Sequence, residues 1–185
     1  MLEPQLHPQP APQLDPTNVV AAGHYRIDPD RSRVRYSGKH MLGLGTVHAT
    51  FSVREGALDV GDAAGALTTS VTVDAASFCS DSTRRDRDVR SGSFLDVEHY
   101  PDITFASERM QETPGEGWLV PGTVTAHGRS VRVDVQVDRV IATGQEVLVH
   151  GWVRKLDRTG FGITGSRGLV GRYLDLELDV VATPD

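Results

Sequence analysis

Alternation of apolar and polar residues at every second position, repeated along most of the chain, is the feature that most restricts its fold. Successive side chains of a strand point to opposite faces, so each such run carries one dry and one wet side. Val34 and Tyr36 alternate with Arg33 and Arg35, and Val47, Ala49, Phe51 and Val53 alternate with His48, Thr50, Ser52 and Arg54. Leu67, Thr69, Val71 and Val73 follow, then Ile103 with Phe105, then Trp118, Val120, Val124 and Ala126. Val131, Val133, Val135 and Val137 stand against Arg132, Asp134, Gln136 and Asp138. Val147, Val149 and Val153 make a seventh run, and Leu174, Leu176, Leu178 and Val180 an eighth. Glu55-Gly56, Thr113-Pro114-Gly115, His127-Gly128 and Thr143-Gly144 read as turns between them.

Eight amphipathic strands with short connections predict an all-β fold, an antiparallel sheet closed into a barrel, because closure removes the exposed edges an open sheet must protect. At eight strands the interior is either just filled by side chains or holds one small ligand. A two-sheet sandwich is the alternative, since periodicity does not distinguish open from closed. One long non-strand segment, Cys79 to Tyr100, separates the third and fourth runs. There Ser82 is placed to cap a short helix over Thr83 to Arg90, with Arg84 and Asp88, and Asp86 and Arg90, spaced for i, i+4 ion pairs.

Residues 1–22 break the pattern. Five of the ten prolines lie at Pro4, Pro8, Pro10, Pro12 and Pro16 among glutamines, with no hydrophobic period. Such a segment cannot bury enough surface to offset its ordering, so it is expected to be a disordered Pro/Gln-rich arm, leaving 23–185 as the barrel domain. Twenty-five acids against nineteen bases give a net charge of −6 without a basic run, which argues against a nucleic-acid partner. Cys79 is the sole cysteine, so no intrachain disulfide or paired-thiol site is available, and a reducing compartment fits. The first twenty residues lack the features of a signal peptide, and no stretch reaches the roughly eighteen apolar residues of a membrane span. The expectation is a soluble, cytoplasmic protein.

Few residues argue for chemistry. Gly160 to Gly165 spells GxGxxG but precedes an alternating strand, not the helix a dinucleotide needs, so it reads as a loop. His40 shares the dry parity of Val34 and Tyr36, whereas His48 is on the wet side of its strand, which disfavours a shared metal. No metal site is expected. His99 and His127 lack a spaced partner and read as hydrogen-bonded or solvated rings. Arg84, Arg85, Arg87 and Arg90 are interleaved with Asp81, Asp86 and Asp88, the pattern of an ion-paired surface helix, with an anion or headgroup clamp as the alternative. Cys79 reads as a small buried or half-buried residue.

Several segments together resemble the YceI-like polyisoprenoid-binding family, over about residues 24–181. The opening Tyr25-Arg26-Ile27-Asp28 with Arg31-Ser32-Arg33-Val34 is similar to the family's start, with Arg31 where His is usual. His40-Met41-Leu42 and Val47 through Phe51 resemble its next segment, Ala49 replacing Gly. The most specific match runs from Arg85-Asp86 through Arg90-Ser91, Phe94-Leu95-Asp96 and Tyr100-Pro101 to Ile103 through Ser107. His127 through Ser130, and Arg158 with Phe161-Gly162-Ile163, resemble its later turn and loop. The family's Arg-Asp-x-His-Leu is Arg85 through Val89 here, so any role of that His does not carry over.

The resemblance implies a lipocalin-like, eight-stranded barrel that binds an isoprenoid or fatty-acyl tail without catalysis and needs no cofactor. With that fold, parity aims Tyr36, Phe51, Phe105 and Trp118 inward as bulky lining, and Val71, Val124, Val133 and Val149 as smaller residues that leave room. Leu176 joins them, and His40 is placed to hydrogen-bond the polar end of a ligand. The alternatives are a solid barrel serving as an interaction module, and an enzyme acting on an isoprenoid lipid through His40 with Asp86 or Tyr36. Transient membrane contact and a homodimer formed by edge pairing complete the expected partners.

Overall fold

Valine-rich alternating runs favour extended backbone because branched side chains pack well on a pleated, half-buried surface. In the computed structural model, which describes residues 20–40, 44–165 and 170–185, and His40 by its backbone alone, each of the eight runs is a strand. The elements are β1 (Gly23–Ile27), β2 (Arg33–His40), β3 (Gly45–Val60), β4 (Leu67–Asp74), β5 (Cys79–Ser80), α1 (Thr83–Arg90), β6 (Asp102–Ser107), β7 (Gln111–Thr113), β8 (Gly117–Ala126), β9 (Arg129–Ala142), β10 (Val147–Asp157) and β11 (Val170–Pro184).

The neighbours run β2-β3-β4-β6-β8-β9-β10-β11, every pair antiparallel, and β11 returns to β2 with Leu176 opposite Tyr36 and Leu178 opposite Val34. The sheet is therefore a closed eight-stranded barrel, not a sandwich. Among the described residues each of these eight strands has a partner on both sides, as closure requires. β1 lies outside the ring and clips two of its strands, with Tyr25 opposite both Leu58 of β3 and Pro184 of β11.

One expected turn is not a turn. Glu55-Gly56 lies inside β3, which runs on to Val60 through an irregularity in its register with β4 between Val53 and Glu55. An extra residue in one strand resets its alternation. Phe51 and Val53 face inward before it, and Leu58 and Val60 after it. Gly56 is required there, since a Cβ would stand 2.7 Å from Ile27 Cδ1 and 2.8 Å from the Ser70 carbonyl oxygen. The other three expected turns are present. At His127-Gly128, φ values of 51° and 69° make the tight, left-handed corner between β8 and β9.

The antiparallel order gives the barrel two distinct ends. At one end the connections 28–32, 61–66 and 143–146 gather beside β1. There Ser32 is fully buried, and its Oγ accepts from the Val181 backbone N–H at 3.0 Å, pinning the start of β2 to β11. At the other end lie the segment 75–101 with α1, the β8–β9 corner and the loop after β10.

α1 spans the residues expected for it, and Ser82 Oγ accepts from Arg85 N–H. The expected Arg84–Asp88 and Asp86–Arg90 ion pairs do not form. Asp86 is buried and accepts from the Ser80 N–H at 2.9 Å and its hydroxyl at 2.6 Å, tying the helix to β5. Arg90 donates to the Phe78 carbonyl, and Arg85 pairs back to Asp81 at 2.5 Å. Of the N-terminal arm, residues 1–19 lie outside the described residues, while Val20 packs against the core.

Candidate functional site

Inward-facing residues of a filled barrel are buried; here most are only half-buried, because they border empty space. A cavity of about 1120 Å³ runs along the barrel between its two ends. Two packed clusters flank it. One gathers Tyr25, Ile27, Val34, Phe51, Val53, Val73 and Phe78, and the other Val120, Val133, Val135, Val137, Val153, Leu156, Phe161 and Ile163. Val149, Leu176 and Leu178 touch both clusters and so stand at the middle of the lumen.

Tyr36, Phe51, Val71, Phe105, Trp118, Val124, Val149 and Leu176 all border this cavity, as strand parity implied. Val133 does not. It is buried in the second cluster, opposite Gly122, and Phe105 lies so close over Gly122 that a Cβ there would stand 2.3 Å from the ring. That level of the wall is filled by the ring, and Val133 packs as core. The side chain of His40 lies outside the described residues. His48 is exposed on the outer face, with β2 and β3 pairing in continuous register between them.

Residues that parity did not reach complete the wall. Leu58 and Val60 enter because the irregularity in β3 reverses its phase, and Met110 from the connection before β7. Phe78, Val89, Phe94 and Leu95 come from the segment around α1 and cover the lumen at that end. Phe78 packs edge-on to both Tyr36 and Phe51, with centroids 5.8 and 5.2 Å away.

Polar groups at the lumen are few and placed at its ends. Tyr36 leans along β2 over Gly38, where a Cβ would come within 2.2 Å of the phenolic oxygen. Burial raises the Tyr36 pKa, against the opposing pull of Arg158 and Arg85, so the phenol stays protonated as a donor. Thr69, on β4, is buried with a hydroxyl that has no hydrogen-bond partner among the described residues.

Arg158 is the buried cation of the α1 end, stacked at 5.9 Å over Phe94. Its guanidinium donates to the carbonyls of Gly171 at 2.8 Å, Ile163 at 2.8 Å, Gly165 at 3.0 Å and Val170 at 3.1 Å. It thereby fixes the loop after β10, where the GxGxxG sequence forms a 3₁₀ turn and a left-handed Gly162, and the next element among the described residues is the strand β11, not a helix. The His127 ring donates to the Phe161 carbonyl at 3.2 Å, and exposed His99 contacts Asp96 at 2.9 Å. Cys79, expected to be buried or half-buried, is exposed, because it follows inward-facing Phe78 and stands opposite exposed Thr50, so its side chain alternates to the outer face. No cluster of three or more metal-ligating side chains occurs among the described residues.

A closed antiparallel barrel of eight strands around an apolar lumen, with a short helix covering one end, defines the class of this protein. Residues 25–182 match the model of the YceI-like domain, and the chain belongs to that family. A UPF0312 protein of Pseudomonas putida F1 is 30% identical over 166 residues, covering 86% of this chain and 85% of its own. One from Enterobacter sp. strain 638 is 28% identical over 175 residues, covering 89% and 88%. Among solved structures, Burkholderia cenocepacia BcnA superposes with a TM-score of 0.73 at 23% identity, covering 85% of this chain and 99% of BcnA. A polyisoprenoid binding domain from Saccharophagus degradans does so with 0.65 at 10% identity, covering 89% and 100%. These likenesses confirm the barrel.

Proposed function

We propose that this protein binds a long-chain apolar lipid, a prenyl quinone or polyprenyl chain, inside its barrel, and carries or stores it without chemical change. The observation that supports this most is the hollow interior: inward side chains of β4, β6, β8, β10 and β11 border an apolar cavity of about 1120 Å³ instead of meeting across it. Burial is worth about 0.8 kcal/mol per CH₂, so each five-carbon isoprene unit contributes roughly 4 kcal/mol gross. A few units outweigh the roughly 4 to 15 kcal/mol that association costs. The relative described as a polyisoprenoid binding domain agrees with such a ligand.

A carrier reading is favoured over an enzyme by the placement of polar groups. Asp86, one acid with which catalysis was conceivable, does not border the lumen and spends its carboxylate on Ser80. The solid-barrel alternative is disfavoured by the lumen itself. Cytoplasmic residence and transient membrane contact during loading belong to the same proposal, the first supported by the lone exposed thiol of Cys79. Among the described residues no helix is long and apolar enough to cross a membrane. Native mass spectrometry and lipid extraction of the purified protein test the reading. A retained long-chain apolar species is expected; its absence, together with failure to bind added prenyl quinones, overturns the proposal.

A further inference from the structure

We propose that the β1 end of the lumen is a docking site for this chain's own N-terminal arm, with Leu14 and Val19 seated in the mouth, and that a long ligand must displace them to fill that half of the barrel. The competition with ligand rests on the lipid-binding reading and adds a means of regulating it.

The two ends of the cavity are covered differently. Over the α1 end lie the bulky side chains of Phe78, Val89, Phe94 and Leu95. At the β1 end the bordering connection is Gly61 to Ala66, in which every residue but Asp62 is glycine or alanine, so its side chains are too short to cross the opening. Gly61 through Ala64 are exposed. What does enter this mouth is the main chain. β1 begins at the rim, with Gly23 opposite Val60, the last residue of β3. Before it the chain bends at Ala22 and turns inward: Ala22 and Ala21 are exposed at the mouth, whereas Val20 is half-buried, borders the lumen and packs against the first of the two clusters. The phenol of buried Tyr25 donates to the Ala21 carbonyl at 2.8 Å and holds this path.

Residues 1–19 are therefore attached inside the mouth and not on the outer wall. Leu14 is six residues before Val20, a reach of at most about 20 Å, so it stays near the opening at a high effective concentration. Between Leu14 and Val19 stands Asp15-Pro16-Thr17-Asn18, with Asp at the first and Pro at the second position of a type I turn. Such a turn brings the two flanking apolar residues near each other and leaves the polar ones to water. Proline also carries no N–H, so Pro16 strands no donor at an apolar rim. The apolar pair is small beside a prenyl chain, but it is tethered and does not bear the association cost of a free ligand. The result is a weak internal competitor, which a long chain displaces and a short chain lying in the α1 half does not meet.

The test uses the full chain with Cys79→Ser and Thr17→Cys, carrying a nitroxide at position 17, and follows the backbone amides by NMR. Without lipid, the amides of 61–66 are expected to broaden strongly, and those of the distant His127-Gly128 corner not at all. Saturation with geranylgeraniol is expected to restore them. Leu14→Asp is expected to bind geranylgeraniol roughly three- to tenfold tighter than wild type, as for a mouth otherwise free a tenth to a third of the time. It is expected to bind the shorter geraniol as wild type does and to keep the wild-type melting temperature. Sharp 61–66 amides in the lipid-free protein overturn the docking. Broadening that also arises when label and isotope are on different chains overturns it in favour of a second copy. Broadening that persists at saturating geranylgeraniol, or equal affinity of Leu14→Asp and wild type for it, overturns the competition. Broadening in a protein that binds neither alcohol supports the docked arm and overturns the lumen reading instead.

Discussion

Replacing Val149 with tryptophan separates a ligand tunnel from a barrel that merely packs loosely. Val149 lies on β10 between Val140 of β9 and Val180 of β11, borders the cavity, and touches both packed clusters. An indole there projects across mid-lumen into existing space. It displaces on the order of one isoprene unit from a threaded chain, about 4 kcal/mol of burial. At 1.4 kcal/mol per tenfold this is a loss of roughly 10³ in affinity for a long prenyl ligand. A ligand short enough to stop on one side of the indole loses far less. Stability falls by less than about 3 kcal/mol, the upper range for added bulk, because the new ring fills a void. Titration of a ladder of prenyl alcohols of increasing length, together with a thermal melt, checks this. Full-strength binding of the longest alcohol by a folded V149W protein would refute a lumen occupied along its length.

Other perturbations test the supports of the site. Gly38→Ala puts a methyl where Tyr36 now lies and should cost about 1 to 3 kcal/mol with a displaced phenol; an unchanged melting temperature and unchanged tyrosine environment would contradict the close approach. Arg158→Met strands four carbonyls and should cost at least about 3 kcal/mol, lowering the melting temperature by roughly 6 to 12 °C; a melt within a degree or two of wild type would show the loop is held otherwise. On the outer wall, His150 sits between Asp138 at 2.6 Å and Glu177 at 3.1 Å. Burial lowers its pKa, but the bonds to the two carboxylates and the nearby charge of Asp138 and Asp179 outweigh it, and the net shift is upward from 6.5. The protonated ring therefore contributes stability that is complete below about pH 6.5 and is lost as pH rises through the raised native value. Wild type should lose melting temperature relative to His150→Asn over that interval, and parallel pH profiles for the two would rule this out.

Most of the architecture was legible because a strand's period of two is written directly in the residue order. All eight runs are barrel strands, and the helix lies where Ser82 placed its start. The parts missed depend on partners remote in sequence. Glu55-Gly56 looks like a turn, and only the pairing of β3 with β4 turns it into an irregularity within a sixteen-residue strand. That same slip hid Leu58 and Val60 from the lining, since their parity is opposite to that of Phe51 and Val53. Val133 has the inward parity of its neighbours, but the ring that fills its level belongs to Phe105 on a different strand. Cys79 is exposed because its side chain alternates outward opposite Thr50, and Arg84 and Arg85 border the lumen only because α1 is seated over one end. Glycines gave a usable signal: Gly38, Gly56 and Gly122 each interrupt an apolar strand, and each marks a place where another group lies against the backbone.

Closure of the ring by β11 against β2 has a consequence for biosynthesis. Leu178 meets Val34 across more than three quarters of the chain, so the last seam of the wall is sewn with the last barrel strand to be synthesised. Until then, seven strands expose their greasy faces with nothing to enclose. Contacts of such long sequence separation slow folding and lengthen the window in which nascent chains stick to one another. A cargo present at that moment, and absent afterward, would find the only time when the container is open along its side.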